Sequence, residues 1–151
     1  MHYRERLTTP PWYWILGVVF GVSTIMAVGF WYGPWVAFAG GLVVTAAITV
    51  LLAWFSRTEV AVEPTGIRVG PSLLEWPWVG EVQVLDAATT RERLGVGADA
   101  RAFVTQRPWL AESVQVTVED AADPHPYWLI SSRRPAQLAA AIETTRQQAA
   151  S

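Results

Sequence analysis

The residues whose types can do chemistry lie in the last third of the chain. Glu119, Asp120, Asp123 and His125 place three carboxylates and an imidazole in one short run. Such groups ligate metal ions, and a weak site is one reading. The plainer reading is an acidic turn, in which Asp and Pro are chosen for the backbone. The only other histidine is His2, so one chain cannot assemble a multi-histidine site. Arg133-Arg134 is the residue pair for a phosphate or an anionic lipid headgroup, or simply two solvated arginines. Arg107-Pro108-Trp109 pairs a cation with an aromatic that either anchors a partner or fills a core. Ser131-Ser132 has no histidine in a triad-like setting. Gly95-Val96-Gly97-Ala98-Asp99 lacks the third glycine of a dinucleotide loop and the flanking strand and helix that would support one. No residue set here specifies a catalytic centre, a metal or a cofactor.

These residues must be positioned by a small domain. What precedes that domain is of another kind. Between Arg6 and Arg57 there is no Asp, Glu, Lys or Arg. A membrane span needs about 20 predominantly apolar residues, and this stretch is long enough for two, over about 12–32 and 35–55. Gly33-Pro34 interrupts it near its midpoint and argues against one long helix. Trp12, Tyr13 and Trp14 stand at one end, Trp31, Tyr32 and Trp35 at the middle, and Trp54 and Phe55 at the other end. That is the placement of interfacial aromatic belts. A cleaved signal peptide is the rival reading, but the first apolar run is too long for one and a second follows at once. Arg4, Arg6 and Arg57 flank the stretch, so both termini are expected in the cytoplasm, with a short external turn at Tyr32, Gly33 and Pro34. The location implied is the inner (plasma) membrane, multi-pass.

Within the spans, Gly17 and Gly21 are four apart, as are Gly29 and Gly33, and Ala37 and Gly41. Small residues at this spacing let helices approach closely. They pack the two spans together, or join a partner protein or a second copy. Neither span carries an ionisable residue, which argues against a proton relay or ion path.

Composition sets further bounds. At 151 residues, one modest domain plus a hairpin is the limit. There is no cysteine, which excludes disulfides and thiol chemistry. A net charge of −2 gives no support for nucleic-acid binding.

Residues 1–11 read as a cytoplasmic head, 12–56 as the hairpin and 57–151 as the tail domain. After Arg57 the pattern turns to period two. Thr58 to Glu63 and Ile67 to Val69 flank the turn Pro64-Thr65-Gly66, a hairpin signal. Further strands are expected at Leu73–Trp76, at Val79–Leu85 with a bend or bulge at Gly80, at Arg101–Thr105, at Ser113–Glu119 and at Tyr127–Ser131. Asp86 to Asp99 reads as a loop. Pro135 opens a helix to about Gln148, with Leu138 and Ile142 as its buried stripe. The expected fold is therefore a membrane α-hairpin followed by an α+β tail, a small antiparallel barrel or sandwich closed by a C-terminal helix. Trp76, Trp78, Trp109 and Trp128 are many for so small a core, so at least one should be exposed, Trp78 or Trp109, as part of a contact surface.

Val62-Glu63-Pro64-Thr65-Gly66-Ile67, then Trp76-Pro77-Trp78-Val79-Gly80-Glu81-Val82, then the helix after Arg133-Arg134-Pro135 resemble the bacterial membrane-tethered pleckstrin-homology-like domains. Nearly the whole chain also resembles a family of uncharacterised actinobacterial membrane proteins catalogued as a domain of unknown function. The carrying residues are Tyr3-Arg4-Glu5 with Pro11-Trp12, Arg107-Pro108-Trp109, and Asp120 through Pro135. His125 stands where that pattern has a small hydroxyl residue. The resemblance implies location and architecture and no activity. The function expected is a non-catalytic membrane adaptor or accessory subunit. Its contacts are membrane lipids and a protein partner, or self-association through the hairpin. Trp78, Arg107, Trp109, Arg133 and Arg134 are the candidate contact residues. Headgroup sensing by the tail, or a subunit of a membrane enzyme or transporter whose active site lies elsewhere, are the alternatives.

Overall fold

A computed structural model describes residues 3–150. The chain forms two compact units, Thr8–Arg57 and a second made of Met1–Leu7 with Thr58–Ser151.

The first unit is a pair of helices, α1 (Pro11–Tyr32) and α2 (Pro34–Phe55), both long and apolar enough to cross a membrane. A proline sits in the first turn of each, where its missing N–H is not needed. Gly33 joins them with φ of 85°, a region open to glycine and strained for other residues. The two helices run antiparallel with their small residues turned inward. A Cβ added at Gly17 would lie 2.9 Å from Ile48, and one at Gly29 would lie 3.2 Å from Ala37. A Cβ at Gly21 would overlap the Thr45 hydroxyl, and one at Gly41 would overlap Ile25. Gly17, Gly21, Ala37 and Gly41 thus form the seam of the hairpin itself. Its base is closed by hydroxyls: Thr9 and Ser56 share a hydrogen bond of 2.7 Å, and Ser56 donates to the Leu52 carbonyl at 2.8 Å. The outward surface is apolar, with Phe30 and Trp35 each 85% exposed beside the turn.

The second unit holds two four-stranded sheets. The first has the order β1 (Tyr3–Arg6), β2 (Glu59–Glu63), β3 (Gly66–Val69), β4 (Ser72–Glu75), all antiparallel. A single 3-10 turn, Trp76–Trp78, leads to the second sheet, with β5 (Val79–Leu85), β7 (Ser113–Val118), β8 (Tyr127–Ser131) and β6 (Phe103–Thr105) in that spatial order. Alternation places Val60, Val62, Ile67, Val69 and Leu74 of one sheet and Val114, Val116, Trp128 and Ile130 of the other in one core. α4 (Pro135–Ala150) closes it with Leu138 and Ile142, both fully buried. The β5–β7 register shifts between Val79 and Val82, a bulge at Gly80. A side chain there would press on Glu119 at 2.9 Å.

Four expectations are corrected. The sheets remain separate and do not close into a barrel. They are not wholly antiparallel, because β6 runs parallel to β8. Tyr3–Arg6, read as part of a head over 1–11 separate from the tail domain over 57–151, is an edge strand of the tail's first sheet, paired residue by residue with β2. Asp86–Asp99 is not all loop. It contains α3 (Ala87–Leu94), whose N-terminus is capped by Asp86 accepting the Thr89 N–H at 2.7 Å.

Candidate functional site

Three segments far apart in sequence meet at one end of the β-rich unit. β1 alternates in and out, so Tyr3 and Glu5 turn inward while Arg4 and Arg6 face out. β6 delivers Gln106 and Arg107 just past its last residue, and β8 delivers its last residue, Ser131, with Ser132 to Arg134 just beyond it. Because β6 and β8 are parallel neighbours, both segments leave the sheet at the same end.

Glu5 is the hub. Its Oε2 accepts the Ser132 hydroxyl at 2.6 Å and the Tyr3 hydroxyl at 2.8 Å, and its Oε1 accepts the Arg133 N–H at 2.8 Å. Ser132 Oγ in turn accepts the Arg134 N–H at 3.0 Å. Bonds to an ionised carboxylate are the strong class of hydrogen bond, and here they join residues 127 and 128 positions apart. Burial pushes the Tyr3 phenol up to about 12; the Ser132 hydroxyl opposes that rise and the Glu5 charge adds to it.

Beside this hub the Ser131 hydroxyl donates to Gln106 Oε1 at 2.7 Å and accepts the Arg107 N–H at 3.2 Å. Gln106 Nε2 donates to the Leu110 carbonyl at 3.0 Å. The Arg107 guanidinium donates to the Thr58 hydroxyl and, at 3.2 Å, to the Gln106 carbonyl. Burial lowers the Arg107 pKa from its ordinary value. The Leu7 N–H donates to the Thr58 carbonyl at 3.1 Å, which ties together the two residues that flank the apolar stretch in sequence.

The arrangement fixes Arg107, Arg133 and Arg134 at one end, with Arg133 and Arg134 exposed. Its chemistry is charge and hydrogen bonding. Both serines are buried and donate to Glu5 and Gln106.

Trp109 and Trp78 are not part of that cluster. Trp109 is half-buried and packs against the core, so the aromatic of Arg107-Pro108-Trp109 is turned inward. Trp78 is 41% exposed and lies at the other end of β5, where its carbonyl accepts the Glu119 N–H at 2.9 Å. Trp76 and Trp128 are buried, and the Trp76 indole N–H donates to the Pro64 carbonyl at 2.8 Å. The candidate residues therefore form two surfaces, arginines at one end and Trp78 at the other.

The acidic run near His125 is a turn. Asp120 Oδ1 accepts the Ala122 N–H, and Asp123 Oδ1 accepts both the His125 N–H and its Nδ1, at 2.8 and 2.7 Å. The backbone N–H of His125 is the main reason the Asp123 carboxyl is held below its usual range. Among the described residues no three His, Asp or Glu side chains gather as a metal site, and His2 lies outside them. Sequence reasoning missed Tyr3, Glu5, Thr58 and Gln106. The alternation of Tyr3-Arg4-Glu5-Arg6 was the signal that would have found the first two.

No curated protein and no solved structure matches the chain. A family model described as "Protein of unknown function (DUF3093)" matches residues 2–142. That covers the hairpin, both sheets and the first half of α4, and on it the chain belongs to the DUF3093 family.

Proposed function

We propose that this is a non-catalytic membrane adaptor or accessory subunit. The hairpin crosses the cell membrane twice, and both termini lie in the cytoplasm. The β-rich unit, read from its sequence as pleckstrin-homology-like, meets a protein partner at the cytoplasmic surface. In the alternative reading the partner is itself the enzyme or transporter subunit that holds the active site.

The observation that carries this reading is the inverted burial of the hairpin. Its seam is glycine and alanine, and its outward face is Phe, Trp, Val and Leu. Such an arrangement suits lipid, where small residues pack helices and apolar residues face the solvent. Trp78 supports the contact surface. It is the exposed member of the four tail tryptophans, it sits between the exposed Pro77 and Glu119, and aromatic residues are enriched where proteins meet.

The test is a mild-detergent purification of the tagged full-length protein from its native membranes, beside Trp78→Ala. Wild type is expected to bring down one stoichiometric protein, which the variant loses. Wild type purifying alone, or a partner retained equally by the variant, contradicts the reading.

A further inference from the structure

We infer that the arginine end of the β-rich unit is a docking surface for an anionic bilayer. The inference rests on the reading that the hairpin sits in a membrane, and goes beyond it by assigning the unit a second, electrostatic hold.

The first argument is charge placement. Arg4, Arg6, Arg107, Arg133 and Arg134 gather around the Glu5 hub and the Leu7–Thr58 pair. The carboxylates at this end are Glu5, Glu59, Asp86 and Glu112. Glu5 is occupied by Tyr3, Ser132 and the Arg133 N–H, and Glu59 is paired with Arg4 at 2.8 Å. Asp86 and Glu112 line an open depression of about 490 Å³ beside Arg134. Five arginines thus meet four carboxylates here, and α3, which follows Asp86 and borders Gln106 and Pro108, adds Arg91 and Arg93 against Glu92, while the rest of the unit has three arginines against eight carboxylates. The unit is net negative, yet its charge is polarised along one direction. Glu63, Glu75, Glu81, Glu119, Asp120 and Asp123 belong to the opposite end.

The second argument is the direction of α4. Its first turn follows Arg134 directly, and its last residues line a groove with Pro64, Thr65 and Trp76 at the acidic end. The helix dipole therefore adds positive potential at the arginine end and negative potential at the other.

The third argument is connectivity. Leu7 and Thr58 are the residues at which the chain leaves for and returns from the apolar stretch, and Arg57 precedes Thr58. The polarised end is the one covalently tied to the segments that read as spans. Arginines beside a span are attracted to anionic headgroups, and that attraction is screened by salt.

The test uses the full-length chain in nanodiscs of phosphatidylcholine, alone or mixed with phosphatidylglycerol, with a quencher on the lipid headgroups. The chain has no cysteine, so Ala136→Cys, exposed in the first turn of α4, carries a single fluorophore. Ala121→Cys labels the acidic end, and Tyr32→Cys reports hairpin insertion in both lipids. The expected result is strong quenching at residue 136 in the anionic discs only. It should fade as salt rises, fall to the neutral-lipid level in Arg133→Ala with Arg134→Ala, and be absent at residue 121. Equal quenching at residue 136 in both lipids, or quenching unchanged by the double variant, overturns the inference. So does release of the probe by inorganic phosphate at constant ionic strength, which would make the arginines a site for free phosphate. A residue-32 probe that is unquenched in either lipid would fail the spanning reading instead.

Discussion

The two units of this protein solve the same packing problem with opposite residues. In the β-rich unit Val, Ile, Leu and Trp are inside, and the arginines and carboxylates are outside. In the hairpin the interior seam is Gly17, Gly21, Ala37 and Gly41, and the outside is Val, Leu, Phe and Trp. Removing apolar surface from water drives the first arrangement, at roughly 25 cal/mol per Å² buried. That term vanishes in hydrocarbon, where close backbone approach takes over. On the membrane reading proposed above, exposure has the opposite meaning in the two units, and this can be tested by making the same change in each.

The largest expected effect comes from placing a carboxylate in both. Ile130 is 0% exposed in the sheet core. Ile130→Asp should destabilise the β-rich unit by more than about 4 kcal/mol, enough to remove its cooperative thermal transition by circular dichroism. Val43 is 68% exposed on α2. On a water-facing helix Val43→Asp would be nearly neutral; in lipid it should oppose insertion by about 3 kcal/mol. Recovery of Val43→Asp in the membrane fraction at the wild-type level would break the comparison.

The next effect sharpens it on the small-residue side. Gly41→Leu drives a side chain into Ile25. Overpacking of this kind costs about 1–3 kcal/mol, and the helices should separate, read as a lower energy-transfer efficiency between probes on α1 and α2. Gly40, with open space around its Cβ position, is the control, and Gly40→Leu should leave the efficiency unchanged.

Smaller again is the Glu5 hub. Glu5→Gln keeps the shape but weakens three bonds, and should lower stability by about 1–3 kcal/mol with faster hydrogen exchange at residues 131–134. The hub also has an alkaline limit. The Tyr3 phenol is raised in the folded state from 10.0 to about 12. Its contribution is therefore complete below pH 10 and is lost as pH rises from there to about 12. Tyr3→Phe should remove that step from a denaturation-versus-pH profile; an unchanged profile would remove the phenol from the account. The smallest effect on stability belongs to Trp78→Ala, about 1 kcal/mol because the side chain is 41% exposed, even as partner recovery falls.

How much of this was legible in the sequence follows from the range of each interaction. The helices expected over 12–32 and 35–55 are observed as Pro11–Tyr32 and Pro34–Phe55, because Gly33-Pro34 punctuates an uninterrupted apolar run. The β2–β3 hairpin and the strand Tyr127–Ser131 were legible from local alternation and turn residues. α3 was not, because it is only eight residues long, is polar on nearly every side and buries Thr90 alone. Its cues were punctuation, Asp86 at the start and Gly95 at the end, with no periodicity between them to connect. β1 is four residues long, and its partner β2 begins 53 residues after its last residue. The parallel pairing of β6 with β8 is likewise set by distant neighbours. The site inherits this limit. Arg107, Arg133 and Arg134 were visible as types, but their convergence on Glu5 and Thr58 depends on pairings no local pattern reveals. Of the two tryptophans from which an exposed aromatic was expected, Trp78 supplies it, while the turn from Arg107 to Leu110 directs Trp109 to the core.

The most direct measurement of the central claim is single-cysteine labelling in intact cells with a membrane-impermeant maleimide. The cysteine-free chain allows Tyr32→Cys at the hairpin turn and Val96→Cys in the fully exposed loop after α3. The account predicts that residue 32 is labelled from outside and residue 96 only after permeabilisation. Residue 32 labelled only after permeabilisation, or residue 96 labelled in intact cells, would contradict it.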